Sequence, residues 1–444
     1  MIQQMSLKNF KTFRDASITF GPVSIILGAN GVGKSNLFDA LRLLKSIGDG
    51  RSVRDAIEGH ISPGGSITST AGIRGGNSAI THFLEDSDEF ELDVTILARG
   101  DKIRYSVRID ALHYRVVQEE LSSFKHPGPY VYSTKPQKGP LKQDPDSPSL
   151  RARFYKSVQG LNPGREFSPY EFILSQFVSR RAESRVNEDV AGLARNEFSA
   201  IRLMELRSEV LRQYSPLGKF ELGEHGENFA AVVWDLQNDA RRRVARRVRT
   251  ESGEQRVEAV RNTEAMERWE AMCSWLSELT PRPIVQVDTI RAPTGEVIFA
   301  VQEEPYDKPV PAPSLSDGTL RFAAFALAAI AAQGRRTLAI EEIENGINPT
   351  RLSLLIKMLE QAVRPAKRGQ DGDVQVIAST HSPSILDYAS PQTVRNSVVI
   401  GWDSDSISSH PVRIAELPSF KQVSASRTPG ELQAEGWLQA AADL

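Results

Sequence analysis

Gly28-Ala29-Asn30-Gly31-Val32-Gly33-Lys34-Ser35 constrains the fold of this chain more than any other stretch. It fits G-x-x-x-x-G-K-[ST], a loop whose backbone N–H groups cradle nucleotide phosphates. An apolar, β-branched run, Val23-Ser24-Ile25-Ile26-Leu27, precedes it. Leu37, Leu41 and Leu44 follow at helical spacing. A strand, a glycine turn and a helix start form the context such a loop needs, because the helix N-terminus adds partial positive charge. Asn30, Gly31, Val32, Gly33, Lys34, Ser35 and Asn36 are therefore expected to hold phosphate. In this pattern Lys34 reaches the β- and γ-phosphates, and the Ser35 hydroxyl ligates Mg²⁺.

The bulk numbers narrow the setting. With 444 residues, 40% hydrophobic and 25% charged, the chain has the composition of a soluble globular protein with ample core. A net charge of −2 means that any basic surface is local. Cys273 is the only cysteine, so neither an intrachain disulfide nor a Cys-rich zinc site is available. Met1 to Met5 lacks signal-peptide character, and the longest apolar run, Phe322 to Ala332, is too short to span a bilayer. The expectation is a cytoplasmic protein without a membrane partner.

Short strands are expected over residues 1–28, and loop over the Gly/Ser-rich stretch 47–80. Residues 88–121 alternate in strand fashion, with Gly100-Asp101 as a hairpin turn. Residues 125–164 hold seven prolines and read as an exposed irregular excursion. Helical spacing is expected over Ile201 to Tyr214 and Asn228 to Arg249, with a further helix around Trp269, Trp275 and Leu276. Strand character returns at Ile284 to Val287 and Glu296 to Val301.

Three further motifs lie near the C-terminus. Leu315-Ser316-Asp317-Gly318-Thr319-Leu320 opens a helix running to Gln333, which Gly334 can stop. A helix start with Ser and Gly is either an ordinary cap or a seat for a γ-phosphate. Thr337-Leu338-Ala339-Ile340-Glu341-Glu342 reads as a buried strand ending in two carboxylates, which are costly to place near a core without a purpose. Beside a phosphate loop they suit Mg²⁺ and an attacking water, Glu341 facing the metal and Glu342 orienting or deprotonating the water. Val374 to Ser382 repeats the pattern, with Thr380-His381-Ser382 at the strand tip. There His381 could hydrogen-bond the γ-phosphate or the water.

From Lys34 to Ser316 is 282 residues, from Ser316 to Glu342 is 26, and from Glu342 to His381 is 39. In order and spacing the chain resembles ABC-type ATPases of the SMC, Rad50 and RecF branch. Within that branch it is most similar to the stand-alone bacterial ATPases of the overcoming-lysogenization-defect (OLD-like, AAA_21-type) group that lack a TOPRIM domain. Leu7 to Phe13, the phosphate loop, Leu315 to Thr319, Glu341 to Pro349 and Ser379 to Ser382 carry the resemblance, with Glu227-Asn228-Phe229 a weaker part of it. It implies a head-to-tail homodimer, each ATP lying between the phosphate loop of one copy and the Leu315–Thr319 signature of the other. Ser316 and Gly318 then act in trans, Ser35 and Glu341 hold Mg²⁺, Glu342 is the general base and His381 the γ-phosphate switch. Glu341 stands where Asp is usual, Ile343 where Pro is usual and Asn348 where His is usual, departures that bear on hydrolysis rate. No Asn-Lys-x-Asp guanine signature is present, which favours ATP. About 60 residues follow His381, too few for a TOPRIM nuclease, so Asp403 and Asp405 read as a turn.

The sharpest charge run is Arg241, Arg242, Arg243, Arg246, Arg247 and Arg249. On a helix, Leu236, Ala240, Val244 and Val248 form an apolar stripe and Arg242, Arg246 and Arg249 face away from it. That face is either solvated or a contact for nucleic acid. The fold expected is α/β: a P-loop head of the ABC type from residues 1–120 and 281–444, with residues 121–280 inserted as a Pro-rich excursion followed by a mainly helical lobe. The expected activity is Mg²⁺-dependent ATP hydrolysis coupled to dimer closure. Two roles fit: a regulatory or sensor subunit controlling a separate effector, as in anti-phage defence modules, or a RecF-like repair and recombination ATPase that binds duplex DNA.

Overall fold

The computed structural model describes residues 1–60, 70–135, 149–156, 164–179, 185–218, 221–249, 255–279, 282–330, 336–363 and 374–443. The contacts divide the chain into two compact units. The first comprises Met1–Leu203, Arg335–Glu341 and Pro365–Leu444, and the second Met204–Gly334 and Glu342–Arg364.

The first unit is α/β and contains two large sheets besides the two-stranded pair Gly59–His60 and Thr70–Ala71. An antiparallel sheet of eight strands runs in the order Gly164–Phe167, Leu150–Phe154, Tyr132–Ser133, Arg115–Ser123, Asp101–Asp110, Glu89–Ala98, Ile2–Phe10, Phe13–Thr19. Its alternation is clean: along Glu89–Ala98 every second residue, Phe90, Leu92, Val94, Ile96 and Ala98, is buried. The second sheet orders Ile201–Met204, Arg336–Ile340, Val374–Ser379, Val23–Leu27, Val398–Asp403 and Ser408–Arg413. Its four middle strands run parallel and are almost entirely buried, as continuous apolar runs with no polar face require. The helix Lys34–Gly48 is buried nearly all round, so it is apolar on more than one face. Its Phe38, Leu41 and Leu44 share one core with Phe10, Leu92 and Tyr105 of the antiparallel sheet and Ile26 and Ile377 of the parallel one. Buried Gln375 joins the two sheets: its amide accepts from Ile2 N (2.9 Å) and donates to Ile2 O (2.7 Å), so the polar group carries no desolvation penalty.

The second unit holds the helices Phe229–Arg241, Thr263–Ser277, Asp317–Ile330 and Leu352–Val363, a three-stranded sheet and a two-stranded hairpin. Among the described residues no helix is long and apolar enough to cross a membrane.

Several local expectations are corrected. The helix predicted over Asn228 to Arg249 stops at Arg241. Residues Arg243–Arg249 form a strand paired antiparallel with Gln255–Arg261. The stripe through Val244 and Val248 is equally a period-two strand pattern, and β-branched valines on both strands decide for the hairpin. Arg242 caps the shortened helix, and Arg246 and Arg249 fall on opposite faces of the ribbon, so the three do not form one face. Ile201 to Tyr214 begins as the strand Ile201–Met204 rather than a helix. The Pro-rich stretch contributes Tyr132–Ser133, Leu150–Phe154 and Gly164–Phe167 to the large sheet, while 136–148 and 157–163 lie outside the described residues. The Gly/Ser-rich stretch contains a helix, Val53–Glu58, capped by the Ser52 hydroxyl and buried at Val53, Ala56 and Ile57. The turn after Ala98 is Arg99-Gly100, one residue earlier than expected. The helix stop expected at Gly334 lies outside the described residues.

Candidate nucleotide site

The phosphate loop joins the strand Val23–Leu27 to the helix Lys34–Gly48, as the motif requires. Gly33 occupies the N-cap with φ +99°, and a Cβ there would meet Ser409 Oγ at 2.7 Å and fall on Thr12 Oγ1. Only glycine fits that conformation and approach. Thr12, Asn36 and Ser409 brace the loop: Asn36 Nδ2 donates to Thr12 Oγ1 (2.8 Å), and Ser409 Oγ to Val32 O (2.7 Å). The Lys34 ammonium is folded over the loop, donating to Gly28 O (2.7 Å) and Ala29 O (2.8 Å).

Parallel pairing brings the other motifs to the same sheet edge. Ile340 is level with Ala378, and Ser379 with Ile26, so Glu341, His381 and the phosphate loop all leave the C-terminal ends of neighbouring strands. Ligands of open α/β sheets bind at this edge. Ser35 and Glu341, the two residues predicted to hold Mg²⁺, are brought together by Arg74, whose Nη2 donates both to Ser35 O (2.7 Å) and to Glu341 Oε1 (2.9 Å). His381 is exposed just beyond buried Thr380.

Arg74, Asp39 and Lys11 complete this edge and carry no role in the sequence reading. Arg74 binds both Glu341 oxygens (3.1 and 2.9 Å), the Ser35 carbonyl (2.7 Å) and Asp39 (3.0 Å). Lys11 Nζ binds the second Asp39 oxygen at 2.5 Å. Asp39, an acidic residue one helical turn after Ser35, was the signal available. Arg74 sits in a glycine-rich stretch that reads as loop. Burial pushes the Glu341 carboxyl up, opposed by the hydrogen bond and charge of Arg74 and by Ser35. Burial alone would lower Arg74, but its bonds to Glu341 and the charge of Asp39 raise it.

The oxygen donors fit Mg²⁺. This ion takes hard ligands, keeps several waters and uses few protein groups beside substrate phosphates. One hydroxyl and one carboxylate agree with that, and among the described residues no cluster of three or more His, Cys, Asp or Glu could hold a metal by itself.

In the second unit, Ser316 accepts from Thr319 N (3.2 Å) and caps the helix Asp317–Ile330. Arg212 pairs with Asp317 (2.7 Å) and donates to Leu315 O (2.7 Å). A Cβ on Gly318 would lie 2.8 Å from Gly346 O, so glycine permits the close approach of the 345–347 turn. Glu342 is exposed at φ +51°, accepting from Asn345 Nδ2 (3.2 Å). Ile343, in place of the usual proline, is fully buried, which accounts for an apolar residue there. Asn348 caps the turn that follows through Thr350 N (3.0 Å). Asp403 forms the expected turn, accepting from Asp405 N (2.9 Å) and Ser406 N (3.2 Å).

Residues 23–387 match the family described as "AAA domain, putative AbiEii toxin, Type IV TA system". The chain belongs to that family. A 56-residue stretch is 43% identical to the DNA replication and repair protein RecF of Heliobacterium modesticaldum, spanning 12% of this chain and 15% of that protein. Two solved structures are similar at 13% identity. One is an Smc head bound to the C-terminal winged-helix domain of ScpA (TM-score 0.47, covering 93% of this chain and 97% of that one). The other is the SMC head domain from Thermotoga maritima (TM-score 0.40, 93% and 98%). Family, RecF match and motif order together make this member of the family a P-loop ATPase of the SMC/RecF type.

Proposed function

We propose that the chain binds ATP at Gly28–Ser35 and hydrolyses it with Mg²⁺ as a dimeric switch that controls a separate effector. The meeting of Ser35 and Glu341 at the foot of the phosphate loop carries the reading, because a single Arg74 nitrogen reaches the Ser35 carbonyl (2.7 Å) and the Glu341 carboxylate (2.9 Å), which places both residues at the substrate edge. Mg²⁺, when bound, supplies charge neutralisation on the transferred phosphoryl group. Lys34 exchanges its two carbonyl partners for phosphate oxygens. Glu342 orients and deprotonates the attacking water, and His381 hydrogen-bonds the γ-phosphate. Ser316 and Gly318 meet the nucleotide of a second copy. The toxin–antitoxin wording of the family description supports a defence-type module.

The test is ATP turnover and nucleotide retention by Glu342→Gln. Loss of the base should slow hydrolysis by at least about 100-fold while ATP stays bound. A wild-type rate would remove Glu342 from the role.

The ribbon register supports a second reading. Arg243, Arg247, Arg249 and Arg261 share one face of the hairpin with no acidic residue on it, whereas Glu258 lies opposite Arg246 on the other. An arginine-bearing β-ribbon suits nucleic-acid phosphates. In that case the isolated chain binds duplex DNA in an ATP-dependent way, and affinity falls steeply with salt. Salt-insensitive or absent binding rejects it.

A further inference from the structure

Arg74 directs two of its hydrogen bonds to the carboxylate expected to serve the metal. Nη1 and Nη2 straddle Glu341 at 3.1 and 2.9 Å, the paired geometry that a guanidinium makes with a carboxylate. Nη2 also reaches Ser35 O, and Nε holds Asp39 at 3.0 Å. Lys11 Nζ bonds the other Asp39 oxygen (2.5 Å) and the Arg74 carbonyl oxygen (2.8 Å). The Glu341 side chain is 11% exposed and that of Asp39 0%, so both carboxylates need a cation close by. The Arg74 side chain is 44% exposed and has an open side towards solvent.

We propose that Arg74 is a cationic stand-in for the divalent metal. It neutralises Glu341 while no metal is bound, and it releases Glu341, keeping Asp39 through Nε, when the metal enters with the nucleotide. The inference rests on the reading of Ser35 and Glu341 as the metal position. Its physical ground is exclusion. The same carboxylate oxygens cannot face a guanidinium at 2.9–3.1 Å and a metal at about 2.0–2.1 Å without setting two cations against each other. Two cations so placed repel. Arg74 thus suppresses metal binding without nucleotide and couples metal entry to phosphate entry. Asp39 and Lys11 keep the displaced arginine beside the site.

The test uses Mn²⁺ as a paramagnetic probe on the full chain, with and without ADP. Wild type should bind Mn²⁺ well only with ADP. Arg74→Gln should bind Mn²⁺ alone about tenfold more tightly than wild type, and adding Glu341→Gln should abolish the gain. Arg74→Lys, with one donor point in place of a fork, should show a smaller gain, and it decides the matter if Arg74→Gln fails to fold. An unchanged Mn²⁺ affinity without ADP in the folded variants overturns the stand-in role. If wild type with ADP binds no Mn²⁺, or if Ser35→Ala leaves that binding intact, the metal position itself is misassigned, an outcome separate from the first.

Discussion

At the phosphate-loop edge, Ser35, Asp39, Arg74 and Glu341 meet one another through bonds of 2.7–3.1 Å, and Lys34 is folded onto its own loop. At the signature turn, Ser316, Asp317 and Glu342 are exposed, and Ser316 bonds Thr319, Asp317 pairs with Arg212 and Glu342 accepts from Asn345, all within the same unit. In the first region the buried carboxylates are balanced, Asp39 by Lys11 and Arg74 and Glu341 by Arg74. The second is held rigid by its cap and by the Gly318–Gly346 approach while its polar groups stay in water. A rigid, solvated helix start is suited to meet an anion that another surface brings to it.

Mixing variants tests that contrast with the largest expected effect. Lys34→Ala should abolish nucleotide binding by the chain that carries it. Ser316→Arg should leave binding by its own phosphate loop intact and abolish hydrolysis. Mixed together, the two chains assemble one intact site per heterodimer and should recover a part of the wild-type turnover. If Ser316→Arg alone loses nucleotide affinity as fully as Lys34→Ala, the signature acts in cis and the contrast fails.

The local parts of this site were legible in the sequence. A strand–glycine–helix unit, a capped helix start and two apolar strands with polar tips each announce themselves within ten residues, and parallel pairing gathers the strand tips. Arg74 was not legible, because its partner Glu341 lies 267 residues away and nothing in Gly72 to Gly76 hints at it. The arginine run misled for a different reason. Val244 and Val248 satisfy a four-residue helical step and a two-residue strand step alike, and only the pairing with Gln255–Arg261 separates them. The Pro-rich stretch hid three short strands because its prolines outweighed runs of two to five strand residues.

A smaller effect separates the buried carboxylates of the first unit. Glu341 has a fork of arginine donors, whereas Glu119 has no cation among its hydrogen-bond partners in the described residues. It accepts from Leu174 N (2.9 Å), Tyr132 Oη (2.7 Å) and Ile173 N (2.7 Å), tying the start of the helix Ile173–Ser179 to the large sheet. Burial pushes its carboxyl up to about 7, against those three donors. The folded chain therefore holds a proton that the unfolded chain, near 4.5, has already lost. The stabilisation from this proton is complete below about pH 4.5 and is lost as pH rises through 7. The difference is on the order of 3 kcal/mol. Glu119→Gln keeps an acceptor for the helix start and cannot ionise, so its unfolding free energy should be flatter than wild type between pH 5 and 7.5, about that window. Denaturant midpoints at several pH values measure it. Parallel curves for the two proteins would mean that Glu119 is ionised in the fold and that its three donors alone offset its burial.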